Sequence, residues 1–259
     1  MSLSIMVLVI TSAAFAQDAR LRRLDTSDAG KTWEAVGRLD IGGTGFCTGA
    51  LIAPDLVLTA GHCLFDKASG APIDPQTIEF LAGWRNGRAS AYRDVRRAVV
   101  HPEYAFEGDV SSERVRNDLA LLQLARPIRN SKIAPFGTAA RPRKGDKVGV
   151  VSYAKDRAEA PSLQEVCTVL ARQEGVLVTS CSVDFGSSGA PIFTFENGAA
   201  HIVSVVSAKA EVKGDKVSLG TALGAPLARL QAEMIATADA GRVRVGGIRN
   251  DTGAKFIKP

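Results

Sequence analysis

Leu56-Val57-Leu58-Thr59-Ala60-Gly61-His62-Cys63 is the stretch on which the fold turns. A run of strand length ends in small residues, and the chain then presents an imidazole with a cysteine beside it. Two later segments stand apart in the same way. Asn117-Asp118-Leu119-Ala120-Leu121-Leu122-Gln123-Leu124 sets a carboxylate at the mouth of an apolar strand. Phe185-Gly186-Ser187-Ser188-Gly189-Ala190-Pro191 flanks serine with glycines. Singly, each has a plain structural reading: a packed histidine, a turn cap, an ordinary loop. Jointly they supply what acyl transfer by serine needs, namely a hydroxyl, an imidazole to take its proton and a buried carboxylate to fix the imidazole tautomer. The glycines let the backbone turn sharply and aim N–H groups at a developing oxyanion. The chain order is His, Asp, Ser, and no Gly-x-Ser-x-Gly elbow surrounds the serine.

Around these segments lie short apolar runs bounded by Gly, Pro and Asp. Six of strand length fall at 34–39, 48–53, 56–60, 77–84, 92–101 and 119–124,. A basic, Pro-containing link follows at 126–146. Six more runs then occupy 147–154, 163–172, 176–181, 190–195, 201–208 and 216–222. Six strands on either side of a linker predict an all-β molecule with a first unit over 33–125 and a second over 147–225. One helix is predicted at 226–240. Pro226 suits its first turn, Leu227, Leu230, Met234 and Ile235 share one face, and Gly241 ends it.

The 259 residues are 46% hydrophobic and 23% charged, enough to bury a sizeable core and too apolar for wholesale disorder,. Lys plus Arg exceed Asp plus Glu by 32 − 27 = 5. That surplus is too mild to argue for a nucleic-acid partner. No apolar run reaches the roughly 18 residues of a membrane helix. The longest, at 3–10, continues to Ala14-Phe15-Ala16 and reads as a secretory signal over 1–16, cleaved to leave Gln17,. It lacks a preceding Lys or Arg, and a buried N-terminal strand or helix is the alternative. A polar stretch over 17–32 reads as a mobile arm, and the basic tail 241–259 as a solvated extension. Four cysteines (Cys47, Cys63, Cys167, Cys181) in an exported chain favour two disulfides, with three connectivities open,. No Cys-x-x-Cys and only three histidines argue against a metal site.

The three motifs resemble those of the chymotrypsin/trypsin family of serine endopeptidases over roughly 33–240. Thr59-Ala60-Gly61-His62-Cys63 is similar to that family's Thr-Ala-Ala-His-Cys, Asn117-Asp118-Leu119-Ala120 to Asn-Asp-Ile-Ala, and Gly186-Ser187-Ser188-Gly189-Ala190-Pro191 to Gly-Asp-Ser-Gly-Gly-Pro. His101-Pro102-Glu103-Tyr104 resembles a His-Pro-x-Tyr loop common there. The resemblance implies two six-stranded antiparallel β-barrels, a polypeptide substrate and no cofactor. It implies His62 as base, Asp118 as its orienting carboxylate, Ser188 as nucleophile, and the Gly186 and Ser188 N–H groups as oxyanion hole. It also implies the pairings Cys47–Cys63 and Cys167–Cys181. His101 and His201 match no catalytic position. Activity should fall as pH drops below about 6.5, where imidazole protonates. Nothing in the sequence specifies an oligomeric state.

The departures matter as much. The family's charged residue before the nucleophile is Ser187 here, and its Ile-Val-Gly-Gly start is absent from 33–39. No activation by insertion of a new N-terminus is therefore expected. In this the chain resembles the bacterial trypsin-like group that includes the glutamyl endopeptidases. Ile202-Val203-Ser204-Val205-Val206 resembles the strand that lines the family's specificity pocket. Ser182 falls six before the nucleophile, at the pocket floor. A neutral floor and a Val206 wall predict cleavage after small or apolar residues. Glu is the competing candidate, with His201 as its ligand if the register slips, and Asp184 would favour a basic side chain. Two other readings compete with a protease: a non-catalytic peptide- or surface-binding protein on this fold, and a hydrolase of small esters.

Overall fold

The computed structural model describes residues 21–108, 111–212 and 214–240, with backbone alone for 238–240. The signal expected at 1–16 and the tail at 241–259 lie outside the described residues. The elements in order are β1 (Arg22–Arg23), α1 (Ser27–Gly30), β2 (Val36–Ile41), β3 (Gly45–Ala53), β4 (Leu56–Thr59), β5 (Ile78–Ala82), β6 (Ala91–Val100), α2 (Ser112–Asn117), β7 (Ala120–Leu124), β8 (Lys147–Ser152), β9 (Ser162–Gln173), β10 (Val176–Thr179), β11 (Pro191–Glu196), β12 (Ala199–Val212), β13 (Asp215–Ala222) and α3 (Gly224–Ala240).

Antiparallel pairing closes the first barrel in the order β2-β3-β4-β7-β6-β5. The second runs β8-β9-β10-β13-β12-β11 and closes through β8–β9. Closure removes free edges, so short strands of modest aromatic content suffice. Each of the twelve expected runs carries a barrel strand. The strands of the first barrel bury Leu39, Leu51, Val57, Leu58, Phe80 and Leu121 on their two faces, none more than 1% exposed. The second is filled by a separate cluster that includes Val148, Cys167, Leu177, Ile192 and Val203.

The linker is stitched to both units. Phe136 N–H donates to Leu51 O of β3, and Ile202 N–H of β12 donates to Gly137 O. The helix α3 begins at Gly224, two residues earlier than expected, and packs on β6 and β7. Leu227, Leu230 and Met234 are buried, but Ile235, expected on the same face, is 65% exposed. One turn of helix presents only part of its stripe to a curved barrel wall.

The N-terminal segment differs most from expectation. Instead of a mobile arm, its described part is packed. Arg22 and Arg23 add a strand to β9, and Leu24 is fully buried with its N–H on Pro161 O. Thr26 caps α1. Trp33 then packs against Phe136 of the linker and Phe193 of β11, with ring centroids 6.0 and 5.0 Å away. Arg22 and Arg23 lie exposed along an added strand, while Leu24 anchors it.

Candidate active site

Residues of both barrels line one cleft of about 180 Å³, among them His62 and Lys67 from the first, and Phe185, Ser188, Ser207 and Lys209 from the second. His62 leaves β4 in a single 3₁₀ turn, Gly61–Leu64. The Cys47–Cys63 disulfide ties that turn to β3. Asp118 ends the short helix α2, which no periodicity announced, and is 2% exposed.

Asp118 receives three donors. Its Oδ1 accepts the His62 backbone N–H at 2.8 Å, and its Oδ2 faces His62 Nδ1 at 2.7 Å and accepts the Ser207 hydroxyl at 2.5 Å. A carboxylate so placed holds the Nδ1–H tautomer, which leaves Nε2 with its lone pair. Cys47, His62 and Cys63 bring three donor atoms within 4.8 Å, but both sulfurs belong to the disulfide, so no thiolate is left for a metal.

Thr48 on β3 organises the serine loop. Its N–H donates to Ser188 O, its hydroxyl donates to Gly186 O, and that hydroxyl accepts from Tyr153 N–H. Gly186 and Gly189 have φ of +94° and +77°. A Cβ on Gly186 would come within 2.3 Å of the Phe46 ring, and one on Gly189 within 2.2 Å of Thr48 O. Only glycine fits either position. Among the described residues, neither the Gly186 nor the Ser188 N–H has a protein acceptor. No hydrogen bond joins His62 to Ser188 there, in keeping with the looser contacts of unliganded sites.

Ser187 is fully buried. Its hydroxyl lies 3.2 Å from Ser152 Oγ and 3.3 Å from Tyr153 O, and accepts from Asp184 N–H. Neutral partners surround it where a carboxylate would need a cation.

The trypsin family model matches residues 25–221. The chain belongs to the trypsin family. A glutamyl endopeptidase of Bacillus licheniformis is 27% identical over 151 residues, 58% of this trypsin-family chain and 45% of that protein. A modular serine protease of Drosophila melanogaster is 35% identical over 89 residues, 34% of this chain and 14% of that protein. The matches thus span less than half the length of these curated relatives. A solved Glu endopeptidase in complex with MPD shares the fold, with a TM-score of 0.63 at 19% identity, covering 80% of this chain and 91% of that one.

The pocket strand is where the trypsin-family reading needs correction. Ser204 was expected to line the pocket, yet it is fully buried with its hydroxyl on Thr221 O, and Val205 is buried beside it. Val206 borders the cleft but is 2% exposed, and its backbone bonds Gly189 and Ala190. The serine that reaches Asp118 is Ser207, three residues on. The β12–β13 register jumps from Val206↔Gly220 to Ala208↔Leu219, so Ser207 is the extra residue of a bulge. A bulge re-aims its side chain out of the alternation. Val205-Val206-Ser207 repeats the pattern of Ile202-Val203-Ser204, and that repeat was the available signal. The same shift leaves valine, now Val206, before the serine. His201 sits instead against Gly137 on the linker side.

The corrected register puts Lys209 where Val206 was expected. Lys209 lines both the cleft and a second cavity of about 380 Å³, with Ser182, Asp184 and Arg157. Ser182 N–H is held by Gln164 Oε1 at 2.7 Å. Arg157 bonds Asp156 through Nη1, while its buried Nε and Nη2 have no partner among the described residues. Asp184 meets Lys209 Nζ at 2.9 Å. That ion pair, then the Phe185 N–H, hold the Asp184 carboxyl below its ordinary 3.8. Sequence reasoning missed Arg157, Ser207 and Lys209, since none belongs to a motif.

Proposed function

We propose that this protein is an exported serine endopeptidase that acts through an acyl-enzyme. The observation that carries the reading is the Asp118 carboxylate gripping both the ring and the backbone of His62, beside Ser188, in one cleft. His62 Nε2 takes the Ser188 Oγ proton as oxygen adds to the scissile carbonyl. The oxyanion turns toward the N–H groups of Gly186 and Ser188, each such donor being worth about 10²–10³ in turnover. His62 then gives the proton to the leaving amine, and water reverses the sequence to free the acid. Two disulfides and the signal-like 1–16 support export to an oxidising compartment,. Ser187 among neutral partners supports activity without an inserted N-terminus.

The small or apolar preference rested on a valine wall. Lys209 holds that position, and the adjoining cavity adds the Arg157 guanidinium. Cationic donors beside a cavity favour a ligand that brings an anionic acceptor. Cleavage after an acidic side chain is the reading we adopt, in line with the name of the Bacillus licheniformis relative.

The test is labelling by a fluorophosphonate, followed by cleavage of a mixed peptide library. Wild type should label and cut peptides, and Ser188→Ala should do neither, with turnover down at least about 10⁴-fold. A folded, disulfide-bonded wild type that does not label would favour the non-catalytic binding protein. Labelling with ester but no peptide turnover would favour the esterase.

A further inference from the structure

The Lys209–Asp184 ion pair lies where the two cavities meet. Both are lined by Val183, Asp184 and Lys209, with Ser188 in the first and Arg157 in the second. The pair is half-exposed on both sides. Lys209 Nζ also sits 4.3 Å from the centroid of the Phe185 ring, the residue just before the oxyanion loop. Asp184 Oδ1 accepts the Phe185 N–H at 2.8 Å. An exposed pair of this kind is weak and easily exchanged, unlike a buried one.

We infer that Asp184 is an internal stand-in for the substrate's acidic side chain, holding Lys209 while the pocket is empty and yielding it when a carboxylate enters. The inference rests on the acidic reading above and adds the device that sets its selectivity. A carboxylate in that second cavity faces the Arg157 guanidinium that lines it and can draw Lys209 from Asp184,. A neutral side chain cannot, and leaves the bridge across the entrance. A basic side chain must separate Lys209 from Asp184 and then sit beside Arg157. Asp184 thus competes with the right substrate and bars the wrong ones.

The experiment uses peptides alike except for Glu, Gln or Lys before the cut bond. It compares wild type, Asp184→Asn, Lys209→Met and the double variant. Asn keeps the oxygen that Phe185 N–H needs, and the fluorophosphonate labelling rate reports whether the loop is intact. Asp184→Asn should raise the Glu-over-Gln ratio of kcat/KM about fivefold, through KM, as an exposed competing pair is removed. Lys209→Met should lower that ratio about tenfold, and adding Asp184→Asn to it should change nothing further. If Asp184→Asn alters Glu and Gln peptides alike, or acts equally in the Lys209→Met background, Asp184 only shapes the loop and the inference fails alone. A wild type that labels but shows no Glu preference defeats both the acidic reading and the inference. One that does not label at all defeats the endopeptidase reading and everything built on it.

Discussion

Ser207 touches no reacting atom, yet its hydroxyl supplies the third donor on Asp118. Removing it leaves His62 with its carboxylate but loosens the carboxylate itself. A hydrogen bond to a charged group contributes about 1.5–3 kcal/mol. Ser207→Ala should therefore lower kcat roughly tenfold with KM nearly constant, as steady-state kinetics on one peptide would show. An increase in KM alone would mark Ser207 as a substrate contact instead. That His62, Asp118 and Ser188 come together was legible in the sequence because the chemistry they suggest needs those residue types and the neighbouring glycines are sterically enforced. Ser207 was not, because period-two alternation assumes a regular strand and the bulge between Val206 and Ala208 breaks it. Two Apolar-Apolar-Ser triplets lay three residues apart, and only the fold distinguishes them.

At the scale of elements, the strands were the most readable feature, each being an apolar run closed off by turn residues. The helix α2 was invisible, since six residues with one buried aliphatic, Val115, carry no period. The pocket was unreadable for a related reason. It is made by the 155–157 turn, the loop from 181, the far half of β12 and the start of β13, four segments of the chain. The Lys209–Asp184 pair links two of them, and its response to acid has a definite sign. Asp184 titrates below its ordinary value because Lys209 and the Phe185 N–H favour the carboxylate. Its contribution is thus complete above that ordinary value and is lost only as pH falls through the lower, folded one. The Glu-over-Gln ratio of kcat/KM should stay constant from pH 6 to 8. A ratio that changes across this window would place another titrating group at the entrance.

Across the whole molecule, neither barrel stands alone. Residues 22–24 add to the second barrel, Asn86 of the first donates to Asp25 O and Glu159 O, and the linker bonds both. Leu24 has no counterpart in the motifs, but it is the apolar anchor of this strap. Leu24→Ala should cost about 3 kcal/mol. For a chain of this size that lowers Tm by roughly 6–12 °C. Calorimetry should find a single transition at the lower temperature, with labelling by fluorophosphonate still complete at 25 °C. Separate melting of two halves would contradict the strap.

The protease proposed above, cutting after acidic side chains, must live among copies of itself. Its cleft, like other sites that take peptide by main-chain bonding, accepts extended chain. Glu174, at the tip of the β9–β10 hairpin, has φ of +42°, and Gly175 follows at +88°. Asp66, beside the cleft, turns its carboxylate back onto the N–H groups of Ala68 and Ser69 and the Ser69 hydroxyl. Both acids are exposed or nearly so, yet neither can be drawn straight without first dismantling a turn. On the acidic reading proposed above, the tightness of these two turns protects Glu174 and Asp66 from cleavage by neighbouring copies.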